Sequence, residues 1–79
     1  MSEFSHMVGK RIRELRREHG FSALQLSEFV GVSQHQLLRY ERGDNRLSVD
    51  TLYILCLIFK CTVSEFFNGI IDINHYYGK

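Results

Sequence analysis

Ser33-Gln34-His35-Gln36 and Arg39 gather amide, imidazole and guanidinium groups at helical spacing. A glutamine amide donates and accepts together, which matches the adenine edge, and a guanidinium donates two parallel N–H groups, which match O6 and N7 of guanine. Gln34 and Arg39 therefore have the chemistry to read base edges, while His35 and Gln36 can serve a base or a phosphate. The remaining reactive residues form no comparable set. Cys56, Cys61 and the four histidines supply neither a CxxC pair nor a close histidine pair, so no metal site is assigned. There is no Ser/His/Asp or Cys/His arrangement, no phosphate-cradling glycine loop and no carboxylate pair, and 79 residues leave little space for a pocket. An enzyme is excluded, with no catalytic residue, no cofactor and no small-molecule ligand expected.

The elements that must position these groups can be read from periodicity and caps. Val8, Ile12 and Leu15 line one face of a first amphipathic helix, with Lys10, Arg11, Arg13, Arg16 and Arg17 around the rest, ending near His19 and Gly20. Ser22 caps a second, short helix with Leu24, Leu26, Phe29 and Val30, stopped by Gly31. Ser33 caps a third, largely polar helix from Gln34 to Arg42, and Gly43, Asp44 and Asn45 form the next turn. Ser48 opens a fourth helix that is apolar almost all round, which predicts cover on both sides. Thr62 or Ser64 caps a last turn with Phe66 and Phe67, halted by Asn68 and Gly69. Ile71, Asp72 and Ile73 alternate as in a short strand, within a tail that also holds Ile70, Tyr76 and Tyr77. The expectation is an all-α bundle of five short helices with a helix-turn-helix, and a short C-terminal strand or tail.

Composition sets the bounds. One domain of this length, 44% hydrophobic and 24% charged, is globular rather than disordered. Its longest uncharged apolar run, Leu52 to Phe59, is far short of the ~20 residues that span a bilayer, and no secretory segment precedes it. Cys56 and Cys61, five apart in a stretch read as helical, are expected beyond the ~7 Å Cα limit for a disulfide and read as reduced thiols of a cytoplasmic, nucleoid-associated protein. Met1 to His6 fall outside any periodic pattern and are set aside as a flexible lead or residues foreign to the natural chain, with Met7 a candidate start. Residues 7–69 then form the domain and 70–79 an apolar tail. The net charge is +1, but Lys10 to Arg46 holds eight Lys/Arg against five Asp/Glu, a surplus that suits a polyanion or a solvated helix face.

Ile12-Arg13-Glu14-Leu15-Arg16, Phe21-Ser22, Leu26, Val30-Gly31-Val32-Ser33 and Tyr40-Glu41-Arg42-Gly43 resemble the phage-repressor and Cro (XRE) type of helix-turn-helix regulator over roughly Val8 to Phe67. Val32 to Gln36 with Arg39-Tyr40-Glu41 is also similar to the MrpJ-like subgroup encoded with fimbrial operons. The resemblance implies a lambda-repressor-like fold that binds double-stranded DNA to regulate transcription. It places Gln34, His35 and Arg39 at bases, and Ser22, Ser33, Gln36, Arg42 and Arg46 at the phosphate backbone. It pairs Arg16 with Glu41 internally. Two departures stand out: Ala23 replaces a glutamine that contacts phosphate, and Ser27 replaces an alanine between the two helices, where its hydroxyl needs a carbonyl partner one turn back.

One recognition helix reads too few base pairs to select a genomic site, so a homodimer on a pseudo-palindromic operator is expected. The apolar surplus from Leu52 to Ile73 predicts the interface, through Phe59, Phe66, Phe67, Ile70, Ile71 and Ile73. Repression is the simplest outcome, with motility and fimbrial genes as targets if the subgroup holds. The competing reading is a protein-interaction or antitoxin-like module that keeps the scaffold without the DNA.

Overall fold

Serine and threonine caps divide the chain into helices with little ambiguity. The computed structural model describes residues 3–68, and among them it contains α1 (Glu3–Glu18), α2 (Ala23–Val30), α3 (Gln34–Arg42), α4 (Val49–Phe59) and α5 (Val63–Phe66), with no strand. Ser22 and Gln25 form a reciprocal capping box at α2, and Thr62 with Glu65 does the same at α5, so Thr62 rather than Ser64 is the cap. Ser33 and Ser48 cap α3 and α4 by accepting from Gln36 N–H and Thr51 N–H. Gly31 and Gly43 close α2 and α3 in the left-handed conformation (φ 88° and 79°). The expected all-helical bundle is what the described residues form.

A continuous core runs through the bundle: Val8, Ile12 and Leu15 of α1, Leu26 and Val30 of α2, Leu37 of α3, Leu55, Cys56 and Phe59 of α4, and Phe66 of α5. Ser27 is also buried, and its hydroxyl donates to the Leu24 carbonyl at 2.7 Å, which is the partner a buried hydroxyl between two helices requires. Arg11 fastens the last helix, donating from Nε to the Phe66 carbonyl (2.7 Å) and from Nη2 to that of Glu65 (3.0 Å).

Four expectations change. α1 begins at Glu3, so residues 3–6 belong to the helix: Ser5 is buried, the Phe4 ring stacks on Phe67 at 6.0 Å, and the backbone of His6 lies against Gly43, where a Cβ would collide with it. These residues gave no apolar period because they pack by one aromatic contact and by backbone proximity. α4 ends at Phe59, because Lys60 takes a positive φ of 56° that glycine would ordinarily supply. Cys61 therefore lies outside the helix, and the helical geometry used to separate it from Cys56 does not apply. One face of α4 is uncovered: Val49, Tyr53 and Leu57, four residues apart, are 81%, 61% and 59% exposed. Finally, a cavity of about 350 Å³ lies between the start of α1, Tyr40, Asn45 to Leu47, Leu52 and Phe67, more room than the chain length suggested. The proposed strand at Ile71 to Ile73 lies outside the described residues.

Candidate nucleic-acid interface

α3 carries the candidate base-reading residues, and its rigidity comes from both ends. Ser33 caps the start, accepting from Gln36 N–H at 3.0 Å. At the other end Gly43 N–H returns to the Tyr40 carbonyl and Asp44 N–H to the Arg39 carbonyl, each at 3.0 Å, which satisfies carbonyls the helix leaves open. Leu37 is fully buried, while Gln34, His35 and Arg39 are exposed and Gln36 is half-buried. The helix thus holds one apolar side against the body and leaves an amide, an imidazole and a guanidinium facing solvent.

The clamp between α3 and α1 is an ion pair. Arg16 Nε donates to Glu41 Oε2 at 2.6 Å and Nη2 donates to Oε1 at 3.1 Å, a two-pronged contact with side-chain exposures of only 13% and 5%. Arg16 Nη1 also donates to the Phe21 carbonyl at 3.1 Å. One guanidinium therefore joins α1, α3 and the turn before α2, and planar, paired geometry of this kind is the strong form of the interaction. Gly9, buried in the middle of α1, faces the same helix: an added Cβ would meet the carbonyl oxygens of Tyr40 and Glu41. Sequence reasoning missed Gly9; the signal was a glycine inside an amphipathic period, which often marks a close backbone approach.

The positions assigned to phosphate contacts divide by chemistry. Ser22 and Ser33 use their hydroxyl oxygens as caps, and each keeps its O–H free to donate. Arg42 Nε donates to Asp44 Oδ2 at 3.1 Å, but the pair is exposed (61% and 49%), and such a pair is worth so little that the guanidinium is available to another anion. Arg46 is exposed, and its guanidinium makes no ion pair among the described residues.

The interface residues separate more sharply. Phe59 and Phe66, expected between two copies, are 3% and 0% exposed and belong to the core of one chain. Phe67 is half-buried against Phe4 and Phe66, and Ile70, Ile71 and Ile73 lie outside the described residues. A helix apolar almost all round concealed which of its faces was spare. His19 also lacked any assigned role; its ring nitrogens lie 2.9 Å from the Leu15 carbonyl and 3.1 Å from that of Phe59, tying the ends of α1 and α4 together.

A helix-turn-helix family model, HTH_3, matches residues 12–66. The chain belongs to this family of helix-turn-helix transcriptional regulators. Over 74 residues it is 32% identical to an uncharacterized HTH-type transcriptional regulator of Rickettsia conorii, covering 94% of this chain and 59% of that one. Over 54 residues it is 38% identical to the antitoxin PezA of Streptococcus pneumoniae, covering 68% of this chain and 34% of the antitoxin. It thus spans less than two thirds of either relative. The crystal structure of the restriction-modification controller protein C.AhdI from Aeromonas hydrophila superposes with a TM-score of 0.73 at 27% identity, covering 78% of this chain and 94% of that one.

The clamp yields a measurable expectation. Glu41→Ala strands the Arg16 guanidinium in a largely closed site and should lower unfolding free energy by about 3–5 kcal/mol, whereas Arg16→Met with Glu41→Leu should recover most of the loss. Urea denaturation checks both; a single substitution costing under about 1 kcal/mol would place the pair among ordinary surface contacts.

Proposed function

We propose that the chain is a sequence-specific, double-stranded-DNA-binding repressor that acts as a homodimer on a pseudo-palindromic operator. The observation that carries this reading is the exposed row Gln34, His35 and Arg39 on a helix capped at both ends and clamped through Glu41. α3 lies in the major groove, with Gln34 and Arg39 bonding to base edges and His35 beside them. Ser22, Ser33, Gln36, Arg42 and Arg46 hold the backbone and set the register of the helix. Ala23 contributes only its N–H at the start of α2. Repression follows from occupancy alone, because a dimer seated across a promoter excludes polymerase. The MrpJ-like pattern from Val32 to Glu41 points to motility or fimbrial genes as the targets.

The two-fold contact belongs on α4. Val49, Tyr53 and Leu57 form one exposed apolar row on a helix whose other faces are packed, and pairing this row across an axis removes from water a surface that solubility disfavours. The two reading helices then address half-sites ~34 Å apart.

The similarity to an antitoxin favours a second reading, in which the scaffold serves a protein partner. Affinity for random duplex as a function of salt separates the two. DNA binding through these cations gives a log–log slope near −0.9 for each phosphate neutralised, and a flat response favours the protein partner. With an operator chosen from a random oligonucleotide pool, Arg39→Ala should relax preference at one position by ~1–3 kcal/mol and retain the others; equal loss on every sequence contradicts direct readout. For the dimer, Tyr53→Glu should move the weight-average mass in sedimentation equilibrium toward the monomer and weaken operator binding, while unfolding free energy measured at monomeric concentration stays within about 0.5 kcal/mol; an unchanged mass distribution rejects the α4 interface.

A further inference from the structure

The turn that ends α4 brings the two cysteines of the protein within bonding range. Lys60 N–H donates to the Leu57 carbonyl and Cys61 N–H to the Cys56 carbonyl at 3.0 Å. This is the paired closure of a left-handed helix cap, in which the residues at the two ends of the outer bond face each other. A carbonyl oxygen lies about 2.4 Å from its own Cα and an amide nitrogen about 1.5 Å from its own. With a 3.0 Å bond between them, the Cα atoms of Cys56 and Cys61 are at most about 6.9 Å apart, and closer for any bend. Disulfides bridge Cα separations of about 4.4–6.8 Å. Cys56 is buried and Cys61 half-exposed, and both are free thiols.

We propose that Cys56 and Cys61 form a hydroperoxide-responsive site that closes an intramolecular disulfide across the end of α4. Cys61, the accessible thiol, reacts first. Its thiolate sulfur attacks the distal oxygen of the peroxide, the O–O bond breaks, and the alcohol or water departs with a proton, leaving a sulfenic acid. The Cys56 sulfur then attacks the Cys61 sulfur; the S–S bond forms, the S–O bond breaks, and hydroxide leaves as water with the proton from Cys56. Two thiols lose two electrons and one peroxide is reduced.

The environment assigns the order. Burial first, then the charge and hydrogen bonding of Cys61, pushes the Cys56 thiol up to about 11, so it is a poor first nucleophile toward peroxide. Once Cys61 has become a neutral sulfenic acid, its charge no longer opposes ionisation of Cys56, and the second step is eased by the product of the first.

The test treats the full chain with hydrogen peroxide and follows intact mass and alkylation after unfolding. The wild type should lose two hydrogens in mass and both alkylation sites, and dithiothreitol should restore both. Cys56→Ser should stop at a sulfenic acid on Cys61 that dimedone traps, and Cys61→Ser, at the more exposed position, should largely lose reaction with peroxide. A wild-type product carrying extra oxygen on Cys61 with Cys56 still alkylated, or a dimer on a non-reducing gel, overturns the proposal. So does equal thiol loss in wild type and Cys61→Ser.

Discussion

The arrangement rests on one half-buried guanidinium. Arg16 holds Glu41 with two bonds and the Phe21 carbonyl with a third, so the helix bearing the candidate reading residues cannot shift along α1 without leaving a largely enclosed charge unpaired. Gly9 makes the contact geometrically attainable, because no side chain separates α1 from the carbonyls of Tyr40 and Glu41. A few tenths of an ångström matter here: base-edge recognition requires donors and acceptors at about 2.7–3.2 Å, and a helix that rocks on its support cannot maintain that at several bases together.

Around this clamp the chain separates structural from outward-facing polarity. Ser22, Ser33, Ser48 and Thr62 spend their oxygens on helix starts, and Ser27 bonds one turn back. Arg11 closes α5 and His19 ties the ends of α1 and α4. Among the described residues no buried side-chain polar atom lacks a partner. Gln34, His35 and Arg39 stay exposed on the outer side of α3, open to interact with something other than the protein itself.

Most of the helical framework was legible in the residues. The caps at Ser22, Ser33 and Ser48, the stops at Gly31 and Gly43, and the pairing of Arg16 with Glu41 all emerge as anticipated, because each depends on a short-range rule or a strongly patterned motif. The departures have a common physical origin. Lys60 adopts a glycine-like backbone without being glycine, so α4 showed no stop and the nearness of its two cysteines stayed hidden. Residues 3–6 join α1 through a ring stack and a backbone contact with Gly43, neither of which has a period. In α4 every position from Leu52 to Phe59 is apolar, so hydropathy alone could not tell the packed Phe59 from the open Tyr53; only the placement of the neighbouring helices decides it.

The central claim is that the outer face of α3 meets the nucleotides. It is tested most directly by following amide and side-chain NMR resonances of the labelled chain as an operator duplex is added at physiological salt. The account predicts the largest changes at the Gln34 side-chain amide, the His35 ring and Arg39 Nε–H, with smaller ones at Ser22 and Arg46. Changes confined to α4 and α5, with these signals unmoved under saturating duplex, would contradict it.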